Sequence, residues 1–215
     1  MLNEKDRDNY RKVLKALKQD GKNLQYASDR LRDNKKIVLV AVKQDGEALE
    51  YASEKLRNDE DVVLEAVKQC GEALRYASPR LRDNKEIVLE SVKQDGRNLQ
   101  YASYLLSYKP ELIFKAAKQD RRALRYTAHR RLDNKQIVLQ LVKYDGCALK
   151  YASYGLRNTK EVVLEAVKQD GNALKYASYR FQDNEELVLE AVRQNIEAVK
   201  FASKRVQKII QGKLC

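Results

Sequence analysis

Apolar residues recur along this chain in two alternating bursts. The first has the form I-V-L-x-A-V, as in Ile37, Val38, Leu39, Ala41 and Val42, and the second the form A-L-x-Y-A, as in Ala48, Leu49, Tyr51 and Ala52. At 100° per residue the first burst covers an arc of roughly 200° on an α-helix, so that helix packs on more than one neighbour. The stripe left for solvent is Lys36, Val40 and Lys43 in this stretch, and Glu86, Glu90 and Lys93 in a later one. A helix is therefore predicted from about Asn34 to Gln44. Its start signal is Asp33, with Asn58, Asp83, Asp133, Asn158 and Asp183 in the same place elsewhere. Three residues on stand Lys36, Asp61, Glu86, Gln136, Glu161 and Glu186, which approaches a capping box. Asn34, one residue later, is the alternative cap. Gly46 after Asp45 is read as a left-handed helix stop.

The second burst predicts a short helix from Glu47 to Ala52 and a further single turn over Ser53 to Arg57. Pro79 argues for that break, because inside one long helix it would clash with the carbonyl of Arg75. Ser78 followed by Pro79 instead reads as an N-cap with proline at the first position. One continuous helix, kinked only at Pro79, is the alternative.

Both bursts repeat with one period. Tyrosine falls at 26, 51, 76, 101, 126, 151 and 176, with Phe201 in the eighth place, every step being 25 residues. Eight units run from Asp8 to Gln207, with a polar segment, 1–7, before them and a tail, 208–215, after. Such recurrence marks a solenoid, in which each unit buries its apolar face against its neighbours. The expected fold class is an all-α solenoid of eight repeats, each with a longer helix, a short helix and an extra turn. Ile209 and Ile210 are placed to continue a helix over the last open seam. The fifth unit departs most: Tyr108-Lys109-Pro110 replaces its start, Arg121 the glycine, and Thr127-Ala128 the Ala-Ser pair.

Composition narrows function by exclusion. Cysteines number three and occupy unrelated slots, so neither a zinc site nor a disulfide frame is indicated, and a reducing compartment is favoured. No apolar run has the length of a signal peptide or membrane span. One histidine, His129, leaves no His-based catalytic set. The expectation is a non-enzyme without cofactor or metal.

Charge adds a direction. The formal net charge is +12, and the excess lies in the first unit (+4) and the fifth (+6). In the fifth, Lys115, Lys118, Arg121, Arg122, Arg125 and His129 form a basic group suited to a phosphate, a nucleic-acid backbone or an acidic protein surface. A row of basic residues, Lys18 through Lys168 and Arg193, reads mainly as structural, because Glu65, Glu90, Glu165 and Glu190 stand one turn earlier to pair with it. The periodic tyrosines read as core residues with a hydroxyl at the edge. Tyr104, Tyr154 and Tyr179 differ, since their slot holds Asp29, Glu54, Pro79, His129 or Lys204 elsewhere. A slot that varies on a fixed scaffold is where a repeat protein places recognition. The slot of Lys22, Glu47, Glu72, Arg97, Arg122, Cys147, Asn172 and Glu197 varies likewise.

The phrases K-Q-D-G-x-A-L-x-Y-A-S and L-R-D-N-K-E-I-V-L-E-A-V resemble a tandem-repeat family catalogued as a domain of unknown function, met in intracellular bacteria such as legionellae and chlamydia relatives, in giant viruses and in protists. The resemblance spans all eight units. It implies an interaction module, effector-like in a host cell, and supplies no catalytic residues. The functional expectation is a scaffold that binds a protein partner, with Tyr104, Tyr154 and Tyr179 as anchors and the fifth-unit arginines steering an acidic partner. The alternative is binding of nucleic acid or a phosphate ligand through the first and fifth units. The expected location is the cytoplasm, or a host cytosol if secreted, with no membrane involvement.

Overall fold

The computed structural model describes residues 4–126 and 132–214. Among them each full repeat has three parts: a long α-helix, a 3₁₀ helix and a short α-helix. In repeat 2 these are Lys35–Gln44, Gly46–Tyr51 and Glu54–Arg57. The fold is the expected all-α repeat solenoid, and wherever the second half of a repeat is fully described it is two separate pieces. Pro79 stands at the first position of its short helix, Pro79–Arg82. The first piece is a 3₁₀ helix and the extra turn is α-helical.

Side chains set each boundary. The long helix starts at Asn34, whose Oδ1 accepts the amide of Ile37 at 3.2 Å. This shifts the cap one residue from Asp33 and dissolves the capping box, since Ile37 now holds the third position. Asp33 is used elsewhere: it accepts the hydroxyl of Ser53 from the following short helix. The long helix ends where Asp45 turns extended (φ −146°, ψ 112°), and Asp45 then caps the 3₁₀ helix through the Glu47 amide at 2.9 Å. Ser53 caps the short helix through the Leu56 amide at 3.3 Å.

The glycine works differently from the expected left-handed stop. No glycine has positive φ among the described residues. A β-carbon built on Gly21 would lie 2.4 Å from the Ala41 carbonyl oxygen, and one on Gly46 2.3 Å from that of Ala66. Glycine is needed because the backbone of one repeat meets the long helix of the next. The contact is closed by glutamine: the Gly21 amide donates to Gln44 Oε1 at 2.6 Å, and the Gly71 amide to Gln94 Oε1 at 2.6 Å. A backbone ladder runs beside it, with the Ser53 amide donating to the Arg32 carbonyl at 3.0 Å and Ser78 to Arg57 at 2.9 Å.

Apolar side chains fill the seam between these ladders. In repeat 2, Ile37, Val38, Ala41, Val42, Ala48, Leu49, Ala52 and Leu56 are buried. Tyr51, Tyr76 and Tyr101 are half-buried against this core, as a ring with its hydroxyl at the edge should be. The chain divides into two compact units, Met1–Tyr126 and Thr127–Cys215. Unit 1 ends in the long helix Pro110–Gln119 and the 3₁₀ helix Arg121–Arg125. Unit 2 ends in a longer helix, Lys204–Leu214, which buries Val206 and Ile210 over the last repeat. The glycine slot is broken at Arg121 in unit 1 and Ile196 in unit 2, each the last such position of its unit.

Candidate interaction surfaces

The repeat presents three rows to solvent: long helices, 3₁₀ helices and short helices. Tyr104, Tyr154 and Tyr179 are on the short-helix row. Each is the first residue after a serine N-cap, in Tyr104–Ser107, Tyr154–Arg157 and Tyr179–Gln182. At that position a side chain leaves the helix without meeting the core, which explains why acids, proline and tyrosine all fit there. The three rings are 64, 67 and 71% exposed. Tyr104 is accompanied by Leu105, also exposed, and its ring lies 4.6 Å from that of Tyr108, tilted by 55°. Tyr104 belongs to unit 1, whereas Tyr154 and Tyr179 sit on neighbouring repeats of unit 2.

The basic residues of the fifth repeat fall on two different rows. Lys115 and Lys118 are exposed on the long helix Pro110–Gln119. Arg121, Arg122 and Arg125 are exposed on the 3₁₀ helix Arg121–Arg125. An α-helix would put Arg121 and Arg125 one turn apart; at three residues per turn, Arg122 and Arg125 share a face instead. Arg122 is already engaged, its Nε 2.8 Å from Asp120 Oδ2. Next to it Arg97 grips Asp95, with Nε to Oδ2 at 2.9 Å. That contact with Arg97 is the main cause holding the Asp95 carboxyl below its ordinary range; for Asp120 the leading cause is the backbone amide of Arg122. His129 lies outside the described residues.

The second variable slot proves largely self-satisfied. Lys22 Nζ is 2.7 Å from Glu47 Oε2, and Arg75 Nη2 is 3.0 Å from Glu47 Oε1, so one carboxylate joins three repeats. The bond from Lys22 is the chief reason the Glu47 carboxyl is held low. Cys147 Sγ donates to Asp170 Oδ2 at 3.1 Å in the next repeat. Variation here follows the neighbouring repeat more than any external ligand. On the long-helix row the predicted pairs form at Lys93–Glu90 (2.6 Å) and Arg193–Glu190 (3.3 Å), but Glu65 turns back to Lys43 of the preceding repeat at 3.4 Å.

Sequence reasoning missed a regular lattice on that row. Lysine at the first position of one long helix pairs with an acid at the second position of the next: Lys35–Asp61 at 2.7 Å, Lys85–Glu111 at 2.6 Å, Lys160–Glu186 at 3.6 Å and Lys135–Glu161. The signal was a spacing of 26, one more than the repeat, which is visible only once the helices are known to lie side by side.

Hollows lie between neighbouring short helices. The one of about 390 Å³ between repeats 2 and 3 is lined by Glu54, Arg57, Tyr76, Ala77, Ser78 and Pro79. Its only hydroxyl of nucleophile type, that of Ser78, donates to Asn58 Oδ1 at 2.6 Å and accepts the Leu81 amide. Among the described residues no cluster of His, Cys, Asp or Glu is arranged to hold a metal, and no helix is long and apolar enough to cross a membrane.

Comparison with curated proteins and with solved structures returns no match. Comparison with family models matches residues 11–57, 34–82, 59–107, 84–132, 134–182 and 159–207 to the domain of unknown function DUF4116. Each matched segment spans two adjacent repeats of the register set by the tyrosines. Together they cover most of the chain, which therefore belongs to the DUF4116 family of tandem repeats.

Proposed function

We propose that the chain is a non-catalytic scaffold that binds a protein partner through exposed tyrosines on the short helices of each unit. The observation that carries this reading is the exposure of Tyr104, Tyr154 and Tyr179, each above 60%, on short helices held by a backbone ladder and, for Tyr104 and Tyr154, by a serine cap. Large aromatic rings on a rigid support bury area at little conformational cost, and they dominate protein interfaces for that reason. Arg125, exposed on the 3₁₀ row of unit 1, adds charge that attracts an acidic partner.

The test uses a photo-crosslinking residue placed at Tyr104 or Tyr179, compared with one at Glu54 in the same slot of another repeat. Crosslinks to one discrete protein at the tyrosine sites, lost in the triple variant Tyr104→Ala/Tyr154→Ala/Tyr179→Ala, support the reading. Capture unchanged in the triple variant refutes it. The second reading, nucleic-acid binding through repeats 1 and 5, is favoured by one observation: Lys115 and Lys118 stand exposed on one helix with no ion pair among the described residues. A gel-shift titration at low salt decides it, because phosphate-led binding is strongest there.

A further inference from the structure

The long-helix row reverses its charge at one end of unit 1. Its second helical position holds the acids Asp61, Glu86, Glu111, Glu161 and Glu186, and Gln136 in the sixth repeat. In the first two repeats that position is Arg11 and Lys36. The position four residues on is Glu65, Glu90, Glu165 or Glu190 in four repeats, Lys115 and Gln140 in two, and Lys15 and Val40 here. The helices concerned, Tyr10–Leu17 and Lys35–Gln44, pack side by side. Arg11, Lys15, Lys18 and Lys36 are all exposed and make no ion pair among the described residues, and Lys43 shares Glu65 at the patch edge. The nearest acids are spent: Asp6 on Lys12, and Asp59 and Asp61 on Lys35. Between the cations lie half-buried apolar groups, Leu14, Leu39 and Val40.

From this we propose that the paired faces of Tyr10–Leu17 and Lys35–Gln44 form a second docking surface, for an acidic amphipathic helix of a partner protein. A helix carrying Glu at i and i+4 would answer the cations that the lattice leaves unmatched. Its apolar stripe would lie on Leu14 and Val40. Val40 decides between partners. In a position that every other repeat fills with a charged or polar residue, an apolar group rimmed by cations offers a contact that a helix can use and a phosphate backbone cannot. The surface involves none of the three exposed tyrosines, so it stands or falls separately from them.

The test is solution NMR of the full chain titrated with three probes: a synthetic helical peptide alternating Glu pairs with Leu, a duplex DNA, and vesicles containing anionic lipid. Peptide binding is expected to move the amides of Arg11, Lys15, Lys36 and Val40. The double variant Lys15→Glu/Lys36→Glu should weaken it by about tenfold or more, as expected for loss and reversal of interfacial charge. Val40→Ser, neutral and at the surface, should weaken it several-fold, whereas Lys168→Glu in unit 2 should leave it unchanged. Thermal melts confirm that each variant folds; Lys15→Gln/Lys36→Gln replaces the charge reversal if that one does not. Tighter binding of DNA or vesicles through the same amides, insensitivity to Val40→Ser, equal weakening by Lys168→Glu, or no binding of the peptide each overturns the proposal.

Discussion

At Gly146 an added β-carbon would stand 2.3 Å from the Ala166 carbonyl oxygen, well inside any allowed contact. Gly146→Ala should therefore push two repeats apart and cost on the order of 2–3 kcal/mol, as overpacking of a tight site does. Gly155→Ala is the control: its nearest neighbour is Ser153 Oγ at 3.9 Å, so it should be neutral or gain up to about 1 kcal/mol from helix propensity. Urea denaturation of the two variants checks both. The period of the glycines was plain in the sequence, but their cause was not. A left-handed turn and a close approach select the same residue, and the close partner, Ala166, is 20 positions away in the chain. At Arg121 and Ile196, the last such position of each unit, the slot holds another residue. By contrast Tyr51, Tyr76 and Tyr101 were correctly placed at the core edge, because a ring between Leu and Ala at fixed spacing has one side to bury, whereas Tyr126 in the same slot is exposed.

Among elements, the short helix depends most on its neighbours. Four residues cannot hold a helix alone. Pro79–Arg82 persists because Ser78 caps it, donates to Asn58 Oδ1 at 2.6 Å, and ties its amide to the Arg57 carbonyl at 2.9 Å. Ser78→Ala removes the two hydroxyl bonds and should cost about 1–2 kcal/mol, typical of a lost N-cap, read as a lowered denaturation midpoint. Its first position should tolerate exchange freely: Tyr179→Glu or Tyr104→Asp should move stability by less than about 0.5 kcal/mol, as surface sites do. The break before this helix was legible from Pro79 alone. The one-residue shift of the long-helix cap was not, because Asp33 and Asn34 are equally good caps. What separates them is Ser53, twenty residues on in the same repeat, which recruits Asp33 and leaves Asn34 to the helix.

For the whole molecule, charge acts along the rows. Asp183 is held below the ordinary 3.8, first by the hydroxyl of Ser203 and then by Arg205, and Asp8 similarly by Arg30 and then Ser28. A carboxyl whose folded pKa is lowered adds stability that is complete above its unfolded value and is lost as pH falls through the folded one. Stability should thus be level at neutral pH and decline below about pH 4, where these carboxyls protonate. Asp183→Asn should flatten part of that decline, since Asn58 and Asn158 fill the same place with the serine bond intact; melts across the acid range test this. The net charge of +12 was legible, as was its excess in the first and fifth repeats. Which cations are unspent was not, because the lattice that spends them runs between helices. The glutamine–glycine contact has one more effect. Gly46 fits because Gln69 and the Ala66 carbonyl arrive at a fixed count along the chain. A single residue inserted between Gln44 and Gly46 would bring a side chain to that spot and turn the following core burst outward. Length in this stack is therefore quantised: the chain can gain or lose whole repeats of 25, and nothing smaller without unmeshing the neighbours.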